Sequence, residues 1–131
     1  MYLCDSDIII WILRGNQRIA DAVSVLVGKT QPAVSAITVA EVYQHVFPKE
    51  IPSTEKLFST YNAYSVDASI ARAGGLYWQH YCKRFATLSI ADCIIAATAR
   101  EHNLILVTLN VRHFPMDDIK LYKGKLLSIQ A

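Results

Sequence analysis

Between Pro32 and Phe47 the only formally charged side chain is Glu41, and between Leu88 and Ala99 the only one is Asp92. Asp5 directly follows the apolar residues at the N-terminus, and Asp7 precedes the apolar run Ile8 to Leu13. Acids set in uncharged runs have two readings. They can cap helices: Thr38-x-x-Glu41 and Ser89-x-x-Asp92 both match the capping-box spacing, and Asp5 is placed to cap the first helix. Alternatively they converge on one site, where clustered anions repel and raise at least one pKa unless a cation sits between them. Oxygen ligation from Asp and Glu suits Mg²⁺ or Mn²⁺, hard ions that keep several waters and take substrate phosphate in the remaining positions. A phosphodiester is the natural substrate of such a site, with the metal polarising the phosphoryl oxygen and orienting water.

The elements that must position these acids follow from the alternation of short, partly β-branched runs with longer helical stretches, which predicts an α/β fold. Strands are expected at Tyr2 to Cys4, Val34 to Ile37, Tyr64 to Val66, Leu104 to Thr108 and Leu126 to Gln130. Helices are expected over Asp7 to Leu13, Arg18 to Val27, Val39 to Phe47, Thr54 to Thr60, Ala68 to Lys83 and Ile90 to His102. Pro32, Pro48, Pro52 and Pro115 fall between these segments. Gly74-Gly75 interrupts one helix, as a kink, a close helix contact or a weak point. In this order Asp5 ends strand one, Glu41 lies a helical turn beyond strand two, and Thr108-Leu109-Asn110 leaves strand four. In open parallel sheets these carboxyl ends face the ligand crevice. Asp92 opens the helix that returns into strand four, so its N-terminus can point to the same edge.

With 131 residues, 53% hydrophobic and 18% charged, the chain fits a single domain over residues 1–131 with a core covered on both faces. Its longest apolar runs are far short of the roughly 20 residues that span a bilayer. The N-terminus lacks a secretory pattern, so a cytoplasmic protein is expected. Cys4, Cys82 and Cys93 show no zinc-like or Cys-x-x-Cys spacing and read as buried thiols. A net charge of +2 is too small for whole-surface attraction to nucleic acid, so any phosphate-binding patch must be local.

Four blocks in order resemble the PIN-domain nucleases, and within them the VapC-like toxins of toxin–antitoxin pairs. They are Tyr2-Leu3-Cys4-Asp5-Ser6-Asp7-Ile8-Ile9-Ile10, Val34-Ser35-Ala36-Ile37-Thr38-Val39-Ala40-Glu41-Val42, Leu88-Ser89-Ile90-Ala91-Asp92-Cys93-Ile94-Ile95-Ala96-Ala97-Thr98-Ala99 and Thr108-Leu109-Asn110-Val111-Arg112-His113-Phe114. The resemblance covers nearly the whole chain. It implies a three-layer α/β/α fold with a central, mostly parallel sheet of about five strands. It further implies a Mg²⁺-dependent endoribonuclease, with Mn²⁺ able to substitute, that is homodimeric and held inactive by a small antitoxin. Asp5, Glu41 and Asp92 receive the metal-ligand role, and Ser6, Thr108 and Asn110 a supporting or substrate-contact role. Many relatives carry a fourth acid near Asn110 or His113; here an amide and an imidazole stand in its place. An Asn oxygen adds no charge, and Asp117 and Asp118 are alternative sources of a fourth carboxylate.

Among the cations, Arg112 directly follows the Asn110 segment and is the first candidate to hold RNA phosphate, with Lys83 and Arg84 next and Lys120, Lys123 and Lys125 more remote. His45, His80, His102 and His113 make no zinc pattern and are read as structural. Tyr77, Trp78 and Tyr81, at helical spacing, read as core or dimer contact ahead of base stacking. Three other readings stand beside the toxin nuclease: the same nuclease serving RNA processing without a toxin role, and two of different classes. Asp5-Ser6-Asp7 after a strand resembles the opening of haloacid-dehalogenase-like phosphatases, with Asp5 as nucleophile. The amide at Asn110 is also compatible with a catalytically weakened module that binds RNA or a partner.

Overall fold

The computed structural model describes residues 1–124. Its sheet contains β1 (Tyr2–Cys4), β2 (Ala33–Ser35), β3 (Asn62–Tyr64), β4 (Ile105–Val107) and β5 (Lys120–Leu121), in the order β3-β2-β1-β4-β5. Every pairing is parallel, with Leu3 level with Ala33 on one side and Leu106 on the other. The connections are helical: α1 (Ser6–Leu13), α2 (Gln17–Val27), α3 (Ala36–Tyr43), α4 (Ile51–Phe58), α5 (Ala68–Tyr81) and α6 (Ile90–Glu101), with short 3-10 turns at Pro48–Glu50 and Val111–His113.

Strand side chains alternate between the two faces. Leu3, Ala33 and Leu106 pack with Ile70 and Tyr77 of α5 and Ile95 and Ala99 of α6. Cys4, Val34 and Val107 pack with Ile8 and Ile9 of α1 and Ile19 and Val23 of α2. Burial on both faces explains why the inner strands β1, β2 and β4 carry mostly apolar residues, while the edge strands β3 and β5 are more exposed. The expected α/β/α layering is therefore present.

Several local expectations are corrected. Ser35 ends β2, and its side chain accepts from the Ile37 N–H and starts α3 at Ala36, three residues early, so Ala36 and Ile37, assigned to the strand, lie in the helix. Thr38 is consequently buried inside that helix and caps nothing. Pro52 lies in the first turn of α4, where its missing N–H has no intrahelical role to lose. The expected strand at Leu126 to Gln130 lies outside the described residues, as does Lys125; among the described residues the fifth strand is Lys120–Leu121, which was not expected. Of the aromatic triplet, Tyr77 and Tyr81 are core and Trp78 is 44% exposed. Cys4 and Cys93 are buried free thiols, while Cys82 is only partly covered. No helix among the described residues is long and apolar enough to cross a membrane.

Gly74 turns out to be a close helix contact. A Cβ there would lie 2.9 Å from Ile94 Cγ1 and 3.2 Å from its backbone, whereas at Gly75 it would meet nothing within 4 Å. Ile94 sits two residues beyond Asp92, so this contact fixes the part of α6 that carries the acid. Gly75→Ala should raise stability by up to about 1 kcal/mol through helix propensity. Gly74→Ala should lower it, since overpacking costs about 1–3 kcal/mol and outweighs that gain. Paired urea denaturation curves check both signs.

Candidate active site

Asp5 extends the β1 ladder by one bond, its N–H donating to Val107 O at 2.9 Å. This carries its side chain to the carboxyl edge of the sheet, beside Thr108. The carboxylate is 4% exposed. Its Oδ1 accepts from the Ser6 N–H at 2.8 Å, capping α1, and its Oδ2 accepts from Thr108 Oγ1 at 2.7 Å. The capping and site readings therefore hold together at this residue. Burial pushes the Asp5 carboxyl above the usual carboxylate range, the Thr108 and Ser6 hydrogen bonds oppose the rise, and Asp92 adds to it.

Asp92 lies in the first turn of α6, where its N–H donates to the Ser89 cap at 3.0 Å. Burial raises its pKa, while Ser89 and His113 draw it down. His113 Nδ1 stands 3.7 Å from Asp92 Oδ2. Glu41, in the second turn of α3, is raised first by burial and then by Asp5, with Asp92 also contributing. Its Oε1 is buried without a hydrogen-bond partner. The acids of three separate elements thus face a common region and feel one another's charge.

Asp7, on the first turn of α1, is tied to the segment leaving β4. Its Oδ2 accepts from Asn110 Nδ2 at 2.8 Å and from the Leu109 N–H at 3.1 Å, and lies 3.3 Å from Thr108 Oγ1. Burial, with Asp5 beside it, pushes its pKa up to about 7. Asp7 and His113 are the site residues that the sequence reading left in other roles. The Asp-x-Asp spacing signalled the first, but was attached to a phosphatase. For His113 the signal was its place near the position where relatives carry a fourth acid, three residues after Asn110.

The remaining candidates divide by edge. Arg112 is exposed on the 111–113 turn, beside a cleft of about 410 Å³ that Asn110 and His113 also line. Lys83 and Arg84 follow α5 on the connection to the start of α6 and are exposed too. Asp118 lies before β5, at the opposite edge, where it accepts from Tyr77 Oη at 2.6 Å and pairs with Arg100 at 2.9 Å. It is committed to those partners, and neither it nor its neighbour Asp117 replaces the missing fourth acid.

The PIN-domain model matches residues 2–118. The chain belongs to the PIN-domain family. It is 34% identical over 117 residues to ribonuclease VapC10 of Mycobacterium tuberculosis, covering 88% of this chain and 87% of that one. Ribonuclease VapC19 of the same organism is 33% identical over 117 residues, with 88% and 94% covered. The solved structure of VapBC-1 from nontypeable Haemophilus influenzae superposes with a TM-score of 0.75 at 26% identity, covering 93% of this chain and 96% of that one. Membership in this family removes the phosphatase reading.

The donor set is oxygen throughout, and Glu41 Oε1 is a buried acceptor with nothing to accept from. Among the described residues no three Asp, Glu, His or Cys side chains close into a tight cage. The all-oxygen donors and the unpartnered Glu41 acceptor fit a hard divalent ion.

Four carboxyls raised by burial bind more protons folded than unfolded, so the metal-free protein loses stability as pH rises through their titration range. In EDTA the melting temperature should fall as pH increases from about 4, the usual Asp and Glu range, to beyond the Asp7 value of about 7. Thermal melts across that range check it; a rise instead of a fall would contradict the clustering.

Proposed function

We propose that this chain is a divalent-metal-dependent endoribonuclease, the toxin of a toxin–antitoxin pair, acting as one nuclease domain through Asp5, Glu41 and Asp92. The observation that carries this reading is the convergence of three acids on one sheet edge, each held above its ordinary pKa, with Glu41 Oε1 buried and unpartnered. The names of the relatives, ribonuclease VapC10 and VapC19, support the substrate class.

Bound there, Mg²⁺ or Mn²⁺ supplies charge neutralisation and polarises a phosphoryl oxygen. The side chains do the positioning. Thr108 and the Ser6 N–H each hold one oxygen of Asp5, which fixes the orientation of the carboxylate. Ser89 anchors the helix turn that presents Asp92. Asn110 contributes an uncharged amide from the β4 side. Arg112 holds a substrate phosphate at the cleft it lines, with Lys83 and Arg84 extending the path of the RNA backbone.

A small antitoxin is the natural inhibitor, a reading supported by a similar solved structure, a toxin–antitoxin complex from Klebsiella pneumoniae. The exposed Leu76 and Trp78 of α5 support a homodimer. Three unbridged cysteines suit the cytoplasm.

Purified protein should cut RNA with Mg²⁺ or Mn²⁺ and stop in EDTA. Asp92→Asn should abolish cleavage while circular dichroism and melting show an intact fold. Full activity in that variant would sink the assignment. In a host cell, induction of the wild type should arrest growth, and co-expression of a small protein encoded beside it should relieve the arrest and co-purify with it. Light scattering should give twice the chain mass for the toxin alone; a monomer would refute the homodimer.

A further inference from the structure

The hydrogen bonds around Asp5 form one connected set, and its far end is Asp7. Thr108 has one hydroxyl proton and two lone pairs. Its oxygen lies 2.7 Å from Asp5 Oδ2 and 3.3 Å from Asp7 Oδ2, and it accepts from the Asn110 N–H at 3.0 Å. The single proton therefore goes to Asp5. Asp7 Oδ2 is left with the Leu109 N–H at 3.1 Å and Asn110 Nδ2 at 2.8 Å. These bonds join the first turn of α1 to the segment leaving β4, a hundred residues later in sequence.

An acid at position 7 dictates what can stand at position 110. An amide donates to Asp7 in either of its protonation states, whereas an ionised carboxylate at 110 would meet an ionised Asp7 with acceptors only. We propose that Asp7 and Asn110 form an acid–amide latch that positions Thr108 and, through it, Asp5, so that Asn110 is a partner of Asp7 and not a depleted fourth metal ligand. Asp7 is thus a positioning residue, and the missing acid of the β4 segment marks a changed pairing instead of a weakened enzyme. The inference rests on the reading of Asp5, Glu41 and Asp92 as metal ligands.

The test measures Mn²⁺ affinity by titration calorimetry alongside RNA cleavage. Removing an outer-shell partner of a metal ligand typically costs about 10- to 100-fold in affinity or activity, and Asp7→Ala should lose that much in both. Asp7→Asn, which keeps an acceptor oxygen for Leu109 and Asn110, should restore most of the loss. Asn110→Asp should weaken both measurements, and adding Asp7→Asn to it should recover them by re-forming the pair in reverse. Asp7→Asn as damaged as Asp7→Ala would overturn the latch, as would Asn110→Asp binding Mn²⁺ more tightly than the wild type. If Asp7→Ala does not fold, Asn110→Asp and the double variant decide alone. A wild type that binds no Mn²⁺, or an Asp92→Asn protein that binds it normally, overturns the metal reading and the latch together. Loss of binding in Asp92→Asn, with Asp7→Ala at wild-type affinity, overturns the latch only.

Discussion

Asp5 is a carboxylate with 4% of its surface exposed, set among other carboxylates at the end of a sheet buried on both faces. Burial and like charge both oppose its ionisation. The neighbouring structure can be understood as what keeps it in place. The β1 to β4 register brings Thr108 level with it, and the extra ladder bond to Val107 prevents the chain from turning away a residue early. The Thr108 hydroxyl, its acceptor side occupied by the Asn110 N–H, has no strong alternative to donating to Asp5.

Helix starts share in this task. Asp5 caps α1, Asp7 occupies the first turn of the same helix, and Asp92 the first turn of α6. Each terminus carries unsatisfied N–H groups and about half a positive charge, which favours an acid by roughly 0.3–1 kcal/mol. This is why the capping motifs and the candidate site coincide. Glu41 differs, because α3 begins at Ala36 and places it in the second turn, where the terminal field has largely decayed. It is also the acid of the trio whose Oε1 is buried with no donor.

What the sequence made legible were features written in local pattern. Alternating apolar runs predicted β1 and β4 within a residue or so and all six helices in order, because both periods are imposed by burial. Isolated acids near the ends of strands predicted that Asp5, Glu41 and Asp92 would face one edge, and their carboxyls do feel one another's charge there. Boundaries failed where two local signals competed: Ala36 and Ile37 continue an apolar run from the strand, but the Ser35 side chain caps a helix that takes them, and the cap won. The partners failed for a different reason. Nothing in Asp7 or Asn110 alone says that they meet, since their bond depends on the parallel register of strands separated by most of the chain. Likewise His113 reads as a surface histidine until the 111–113 turn places it beside Asp92.

The electrostatic balance of the edge is incomplete without a counter-charge. Two helix starts, a hydroxyl and the backbone N–H groups all act to hold the carboxylates charged, yet Asp5, Glu41 and Asp92 still sit above the ordinary range. A scaffold optimised for stability alone would replace one of these acids or give Glu41 a donor. Holding them rigidly, short of neutralising them, leaves affinity for a cation while limiting the rearrangement needed to bind it. Gly74 belongs to the same logic: by letting α5 approach Ile94 it stiffens the start of α6, so that Asp92 is positioned by packing against the core as well as by its cap.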